Sequence, residues 1–563
     1  MSMRSLNSEL LNKILWYVRD LDEMGHPPEV DPPRYGHLAA VSREWQSLVE
    51  QWNFNTIAIS LDDLPDAAGI LTPHRQTIVG SLDVTIELDA YDEEARYRVE
   101  TDEEQHRNNE VFTKGVKDIF RCLENWKPPS NRPGLRLTIH VSSPSDINRL
   151  SPEAAEDVVR RLPFSPLRRY EKSLILFLDE PETLPKLGHI SSFGIHRWPK
   201  DGQGRHLYRN VDPLSASLLL RRCKPSLEEV SLYLMDWPRG ATEERKHRRK
   251  IVAQVIDEMP SPVRDLGIAY WVSPPRDENC DPPNLLDDGE TEDTLSVSLR
   301  RFYMRSKAQR VFVTRTILGA EFYRRPTKGD RGKGYRDSEG DEENESEDEE
   351  DDSEGENDAG SGNDSDFDED WYGNHSDDDR RPCASLQDLR VDWPKVTPDG
   401  KWLYKRPVGE NADKCAWDQY DTDESGSESD GKEKDEDERK GPEDPDPELD
   451  DPAYTSKHRF RIAPVSELVN PLLESMARTM RRMPALQDFY WADSTDWPAH
   501  RVEFSPNFDE GGGELAFYGW GNYEDGEELI DTGEPLVDEE VVELFTEMLS
   551  ARKPEGEIEI HIE

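Results

Sequence analysis

Five cysteines, Cys122, Cys223, Cys280, Cys383 and Cys415, are the chain's best nucleophiles and soft metal ligands, and their spacing supports neither role. They are far apart, odd in number and without a C-x-x-C pair, whereas a zinc site needs Cys and His clustered at short intervals. Free thiols in a reducing compartment are expected. His196 and His206 fall in a short loop with Pro and Gly, and nothing pairs them with a nucleophile. There is no P-loop, G-x-S-x-G elbow, H-E-x-x-H or Gly-rich dinucleotide fingerprint, and Gly511-Gly512-Gly513 reads as a turn. Among 121 acidic residues no two stand out as an acid and base pair. No catalytic role, cofactor or metal is expected of this chain.

The acidity carries its own information. The formal charge is −51 over 563 residues, which excludes a protein that coats DNA or RNA, because neutralising phosphates needs a basic face. Two tracts hold most of it. Residues 337–379 contain 23 acids and no Lys or Arg, and 421–451 contain 16 acids against 4 bases. Such segments bury too little apolar surface to offset the entropy of ordering, so they are expected to be disordered insertions. Ser338, Ser346, Ser353, Ser427 and Ser429 stand just ahead of acids, the setting acidophilic kinases use. The tracts are either solvating spacers or a means of capturing a basic protein such as a histone tail. The basic run Arg245-Lys246-His247-Arg248-Arg249-Lys250 reads as a nuclear-import signal or the solvated face of a helix. No apolar run approaches the roughly 20 residues of a membrane span. The N-terminus lacks a signal-peptide layout, so an intracellular protein, cytoplasmic or nuclear, with no membrane or direct nucleic-acid partner is expected.

Positioning elements are clearest at the N-terminus. Leu6, Leu10, Leu11, Ile14, Leu15 and Val18 recur at three- and four-residue steps, which predicts a helix capped by Asn7 or Ser8. A Pro-rich loop follows, then a second predicted helix over 35–51 with Leu38, Val41, Trp45, Leu48 and Val49 on one face. Phe54, Ile57 and Ile59 suggest an extended exit. A unit this small cannot bury all these side chains alone. Their partner is either the rest of the chain or another protein.

The stretch LNSELLNKILWYV, followed by HLAAVSREWQSLVEQWNFNTIAI, resembles the F-box, whose pattern runs L-P-x-E-[IL]-L-x-x-I-L and then V-[CS]-[RK]-x-W. Leu6, Glu9, Leu10, Leu11, Ile14 and Leu15 fill the first half, and Val41, Ser42, Arg43 and Trp45 the second. Asn7 stands where the family usually has Pro, and the intervening loop is longer. The resemblance, to the divergent type common in filamentous fungi, covers about a tenth of the chain. It implies docking to the Skp-type adaptor of a cullin-scaffolded ubiquitin ligase, with Leu6, Leu10, Ile14, Leu15, Leu38, Val41 and Trp45 as adaptor-binding anchors. Leu11 and Leu48 would instead face the unit's own core.

Beyond residue 80, short β-branched and aromatic stretches predict strands over 82–88, 135–141, 173–178, 190–195, 227–234, 263–271, 386–391, 486–491, 514–518 and 557–562. Four look alike: SLEEVSLYL, PVRDLGIAY, SLQDLRVDW and ALQDFYWAD share an L-x-x-L-x-L rhythm. Predicted helices over 213–222, 244–259 and 464–483 precede three of them. Intervals between strand centres are irregular, from 36 to 122 residues. The expected fold is mixed α/β: a helical unit over 1–60, then an imperfect leucine-rich-repeat-like body over 61–336, 381–420 and 453–563, interrupted by insertions at 337–380 and 421–452. An α/β sandwich is the alternative. Asp236-Trp237-Pro238, Asp392-Trp393-Pro394 and Asp496-Trp497-Pro498 read as strand-ending corners or, through their tryptophans, as a binding rim.

These features predict a substrate receptor holding an unidentified protein client, or an acidic, chaperone-like binder of basic proteins. An unrecognised enzyme has no motif to carry it.

Overall fold

The computed structural model describes residues 11, 13, 35–96, 98–126, 134–146, 169, 173–196, 209–223, 226–236, 242–271, 280–305, 307–324, 383, 385–405, 463–493, 501–507, 512–518, 538–552 and 558–562. Both acidic tracts with their serines, Leu6, Leu10, Ile14, Leu15, Cys415, His206, Trp237 and the tripeptide at 496–498 lie outside these residues.

The fold is mixed α/β, built on one twelve-stranded sheet whose strands lie side by side in chain order. They are β1 Thr56–Ser60, β2 Ser81–Glu87, β3 Leu135–Ser142, β4 Ile190–Ile195, β5 Glu229–Met235, β6 Asp265–Trp271, β7 Arg310–Thr314, β8 Asp388–Trp393, β9 Asp488–Asp493, β10 Arg501–Asn507, β11 Gly512–Tyr518 and β12 Ile558–Ile562. Pairing is parallel from β1 to β9. It turns antiparallel through β10 and β11 and is parallel again between β11 and β12. The main helices are α1 Arg43–Asn55, α2 Asp102–Glu124, α3 Pro213–Arg222, α4 Thr242–Asp257, α5 Thr294–Tyr303, α6 Ser466–Met480 and α7 Glu539–Arg552.

Strand residues alternate between two faces, so the register sorts them into rows. One row runs Leu82, Leu137, Phe193, Val230, Leu266, Val311, Leu389, Phe489, and a second runs Val84, Ile139, Ile195, Leu232, Ile268, Val313, Val391, Trp491. Every one of them is 2% exposed or less. Helical side chains such as Phe112, Leu219, Ile256, Leu299 and Met476 complete this core. The intervening positions on β2, Ser81, Asp83, Thr85 and Glu87, are only half-buried. On β3 and β4 burial extends to this second face, at Thr138, Ser142, Ser192 and Gly194, while the described helices contribute their apolar side chains to the first.

A local motif repeats where strands begin. The carbonyl of Glu228 accepts the amides of Arg264 and Asp265; that of Arg264 accepts Gln309 and Arg310; that of Gln309 accepts Gln387 and Asp388; that of Gln387 accepts Gln487 and Asp488. Two residues before each acid or its counterpart sits a buried apolar side chain: Leu227, Val263, Ala308, Leu386 or Leu486. The chain therefore returns to the same geometry although its intervals differ. One interval is long because β7 was not expected: Ala308 and Arg310 stand where the look-alike strands carry Leu or Val and an acid.

Other differences have similar causes. The 173–178 stretch gives only Leu174–Ile175, which pairs with Asn210–Val211 outside the main sheet. The second predicted helix, over 35–51, breaks at Val41-Ser42 into a 3-10 turn, Tyr35–Ala40, and α1, because Ser42 takes an extended conformation and caps Trp45 N–H. Thr56–Ser60 follows α1 directly and joins the sheet as its first strand. Helices α2, α5 and α7 and strand β10 were not expected, and α2 carries its apolar stripe only from Val111 onward.

Gly115 marks where α2 lies closest to the sheet: a Cβ there would stand 3.0 Å from Leu61 and 3.1 Å from Ile86. Gly115→Val is expected to destabilise by about 1–3 kcal/mol, because overpacking outweighs the few tenths gained in helix propensity. Urea denaturation of the variant checks this.

Candidate functional site

Two surfaces follow from this architecture. At the N-terminus, Leu11, Leu48 and Val49 form a small buried cluster with Leu38, Ala39, Trp45 and Trp52 packed against it. Leu11 and Leu48 thus face the unit's own core. Of the three described anchors, Leu38 and Trp45 are half-buried against that cluster, while Val41 is 64% exposed. Arg75 fixes the unit to the sheet side: it pairs with Glu50 at 3.0 Å and lies 4.6 Å over the Phe54 ring.

The second surface is the sheet face opposite the one on which the described helices pack. Its middle row runs Asp83, Thr138, Gly194, Ser231, Gly267, Phe312, Arg390, Tyr490, a trough of small residues that ends in two aromatics flanking an arginine. The row toward the strand starts runs Ser81, Arg136, Ser192, Glu229, Asp265, Arg310, Asp388, Asp488. From β1 to β9 this face carries the acids Asp83, Glu87, Glu229, Asp265, Asp388, Asp392 and Asp488 against Arg136, Arg310 and Arg390. Each arginine bonds an acid on the same face: Arg136 with Glu229 at 2.6 Å, Arg310 with Asp265, and Arg390 with Asp388 at 3.2 Å. Sequence reasoning named none of these residues as a site. The available signal was the acid just before the first core residue in the four look-alike strands, Glu229, Asp265, Asp388 and Asp488.

Buried charge pairs at the opposite, C-terminal ends of the strands hold the connections in place. Arg245, 2% exposed, donates its Nε–H to Asp236 at 2.9 Å, so this corner aspartate is held by a guanidinium on α4. Arg249, also 2% exposed, bonds both oxygens of Asp293, at 2.5 and 2.7 Å, and the Ile317 carbonyl. Asp293 in turn caps α5 through the Ser296 amide at 2.7 Å. The basic run is therefore not a solvated helix face: Arg245, Lys246 and Arg249 turn inward. After β3, Arg209 bonds Asp146, Glu100 and Ser173, and Arg169 bonds Glu104 at 3.0 Å while lying 4.4 Å over the Tyr91 ring. Acids and arginines here are engaged with one another and shape the loops, around a small cavity lined by Tyr91, Glu104, Arg169 and Arg209.

Burial opposes ionisation of Glu104, yet hydrogen bonds from Arg98, Arg169 and the Thr101 amide outweigh it and hold the carboxyl well below its usual range. His196, wholly buried with its Nε2 2.7 Å from the Arg209 carbonyl oxygen, is driven by burial and by nearby His140 down to about 3. Burial pushes the thiols of Cys223 and Cys383 up to about 12, which makes them poor nucleophiles. Among the described residues no group of three His, Cys, Asp or Glu is arranged to hold a metal, and no helix is long and apolar enough to cross a membrane.

No model of a known protein family matches the chain, and no curated protein matches it.

Arg249→Met is expected to cost about 3–5 kcal/mol by stranding a buried carboxylate. Arg249→Met with Asp293→Ser, which removes both charges and keeps a capping hydroxyl, should cost less than the single change, as read by urea denaturation. For His196, the folded value is depressed below the unfolded 6.5, so unfolded chains bind a proton that folded chains refuse as pH falls through that range. Stability should drop from pH 6.5 toward 5, with His196 contributing up to about 1.4 kcal/mol per pH unit. His196 sits at φ 54°, a conformation Asn tolerates, and His196→Asn should flatten that slope in denaturation curves measured across the window.

Proposed function

We propose that the protein is a substrate receptor of a cullin-based ubiquitin ligase. In this reading the N-terminal helices dock a Skp-type adaptor, which connects to the cullin scaffold, and a leucine-rich-repeat-like body presents a protein client. The observation that carries it is the split within the N-terminal unit: Leu11 and Leu48 build its core, while Val41, in the V-S-R-x-W segment that resembles the F-box, is 64% exposed. An apolar side chain left outside a completed small core has the character of an anchor for a partner. The repeat-like reading of the body is supported by strands adjacent in both chain and space and by the recurring bifurcated carbonyls.

The chain fuses this unit to the sheet without a linker, since α1 ends at Asn55 and β1 begins at Thr56. A client held on the sheet would then keep a fixed orientation to the adaptor, which suits transfer of ubiquitin to selected lysines.

Val41→Asp, at an exposed position, should weaken capture of purified adaptor by about tenfold or more, the loss of roughly 1.4 kcal/mol or more of binding, with the urea midpoint unchanged. Leu10→Asp with Ile14→Asp should abolish capture. A full-length chain that fails to bind adaptor and cullin, or binds equally well with these changes, rules the reading out.

A further inference from the structure

The cavity beside Tyr91 lies past the carboxyl ends of β2 and β3, the end of a parallel sheet at which ligands bind in open α/β folds. Its wall is held from several sides. Ser143 Oγ donates to the Asp89 carbonyl at 2.8 Å and Ser145 Oγ to the Tyr91 carbonyl at 2.7 Å, which pins this segment to the exit of β3. The Tyr91 hydroxyl donates to Asp146 at 2.9 Å, and the Arg169 and Arg209 guanidiniums lie 4.4 and 5.6 Å from its ring centroid. Asp89, Glu104, Arg107 and Asn108 also line the space. Bonds already made leave some of these groups spent: Arg98 and Arg169 take Glu104, Arg209 takes Glu100 and Asp146, and Asn108 donates to Glu100. What remains carries both signs. Arg169, 2% exposed, keeps an unpartnered Nε–H, and at the exposed rim neither the Arg107 guanidinium nor the Asp89 carboxylate bonds a described residue. With the groups bonded behind the lining included, four arginines stand against four carboxylates, so an anion or a cation alone would unbalance the site.

We propose that this cavity binds the head group of a free α-amino acid, its carboxylate on the Arg169 Nε–H and the Arg107 guanidinium and its ammonium on Asp89. The site is separate from adaptor docking and does not rest on it. A zwitterion satisfies the groups of both signs without changing the net charge of the cluster. The buried Nε–H supplies the strongest reason for an oxygen ligand, because a buried donor left unpaired is costly. Size sets the orientation. The enclosed space is about 30 Å³, room for roughly two waters, which suits the two oxygens of a carboxylate and leaves the ammonium and side chain at the rim beside Asp89. The pinned wall lowers the ordering cost of binding.

Isothermal titration of the full chain with each common amino acid of uncharged side chain tests this; cationic ones are left out because the acidic tracts would attract them. At least one should bind with a Kd below about 1 mM. Its N-acetyl and carboxamide forms, each lacking one of the two charges, should bind about tenfold more weakly or not at all. Asp89→Asn and Arg107→Gln, both at exposed and unbonded positions, should each weaken binding by about tenfold with the urea midpoint unchanged. Asp89→Asn separates the proposal from a plain anion site, where loss of a carboxylate would tighten binding. No binding by any of these amino acids, equal binding by the N-acetyl or carboxamide form, or undiminished binding by either variant would overturn the proposal. Adaptor capture is a separate measurement on the same protein, and its outcome bears only on the ligase reading.

Discussion

The path of this chain between its parallel strands depends on the pairing of buried carboxylates with buried arginines. The connections after β3, β5 and β6 contain buried carboxylates, each met by a buried arginine: Asp146 with Arg209, Asp236 with Arg245, Asp293 with Arg249. A buried ion pair adds little net stability compared with an apolar replacement, but an unpaired one is costly, so these contacts select one path for the chain. The cap of α5, the placement of α4 and the position of the loop before β4 all follow from that selection.

Among the described residues the helices pack on one face of the sheet, and the other face carries polar residues, glycines and two aromatics, half-buried on β2 and buried at Thr138, Ser192 and Gly194. The N-terminal unit stands at the first strand of the same surface.

Much of this was legible in the sequence wherever apolar spacing was strong. The helix over 213–222 was legible because Asp212 caps it and Ala216, Leu219 and Leu220 recur inward, and the strand over 190–195 because it is short and bounded. Strand β7 was not, because Ala308 and Arg310 replace the residues that made its relatives recognisable. Helix α2 opens with a turn of polar residues, although the reciprocal Thr101 and Glu104 capping bonds were a usable start signal. The inward arginines of α4 were invisible for a different reason: spacing places Arg245 and Arg249 on one face, but only the acids arriving from Asp236 and Asp293 make that face the buried one. The acidic row on the second face was hidden because each acid looks like a solvated surface residue until the register stacks it beside the next.

Strands that neighbour only their sequence neighbours also set how the molecule yields to force. A protein whose first and last strands pair with each other breaks like a shear joint, all bonds loaded at once. Here β1 and β12 lie at opposite borders of the sheet, and tension between the chain ends would peel strands away one after another. A machine that grips one terminus would therefore meet a series of small barriers in place of a single large one, and the molecule could be drawn apart with its remaining rungs still in register.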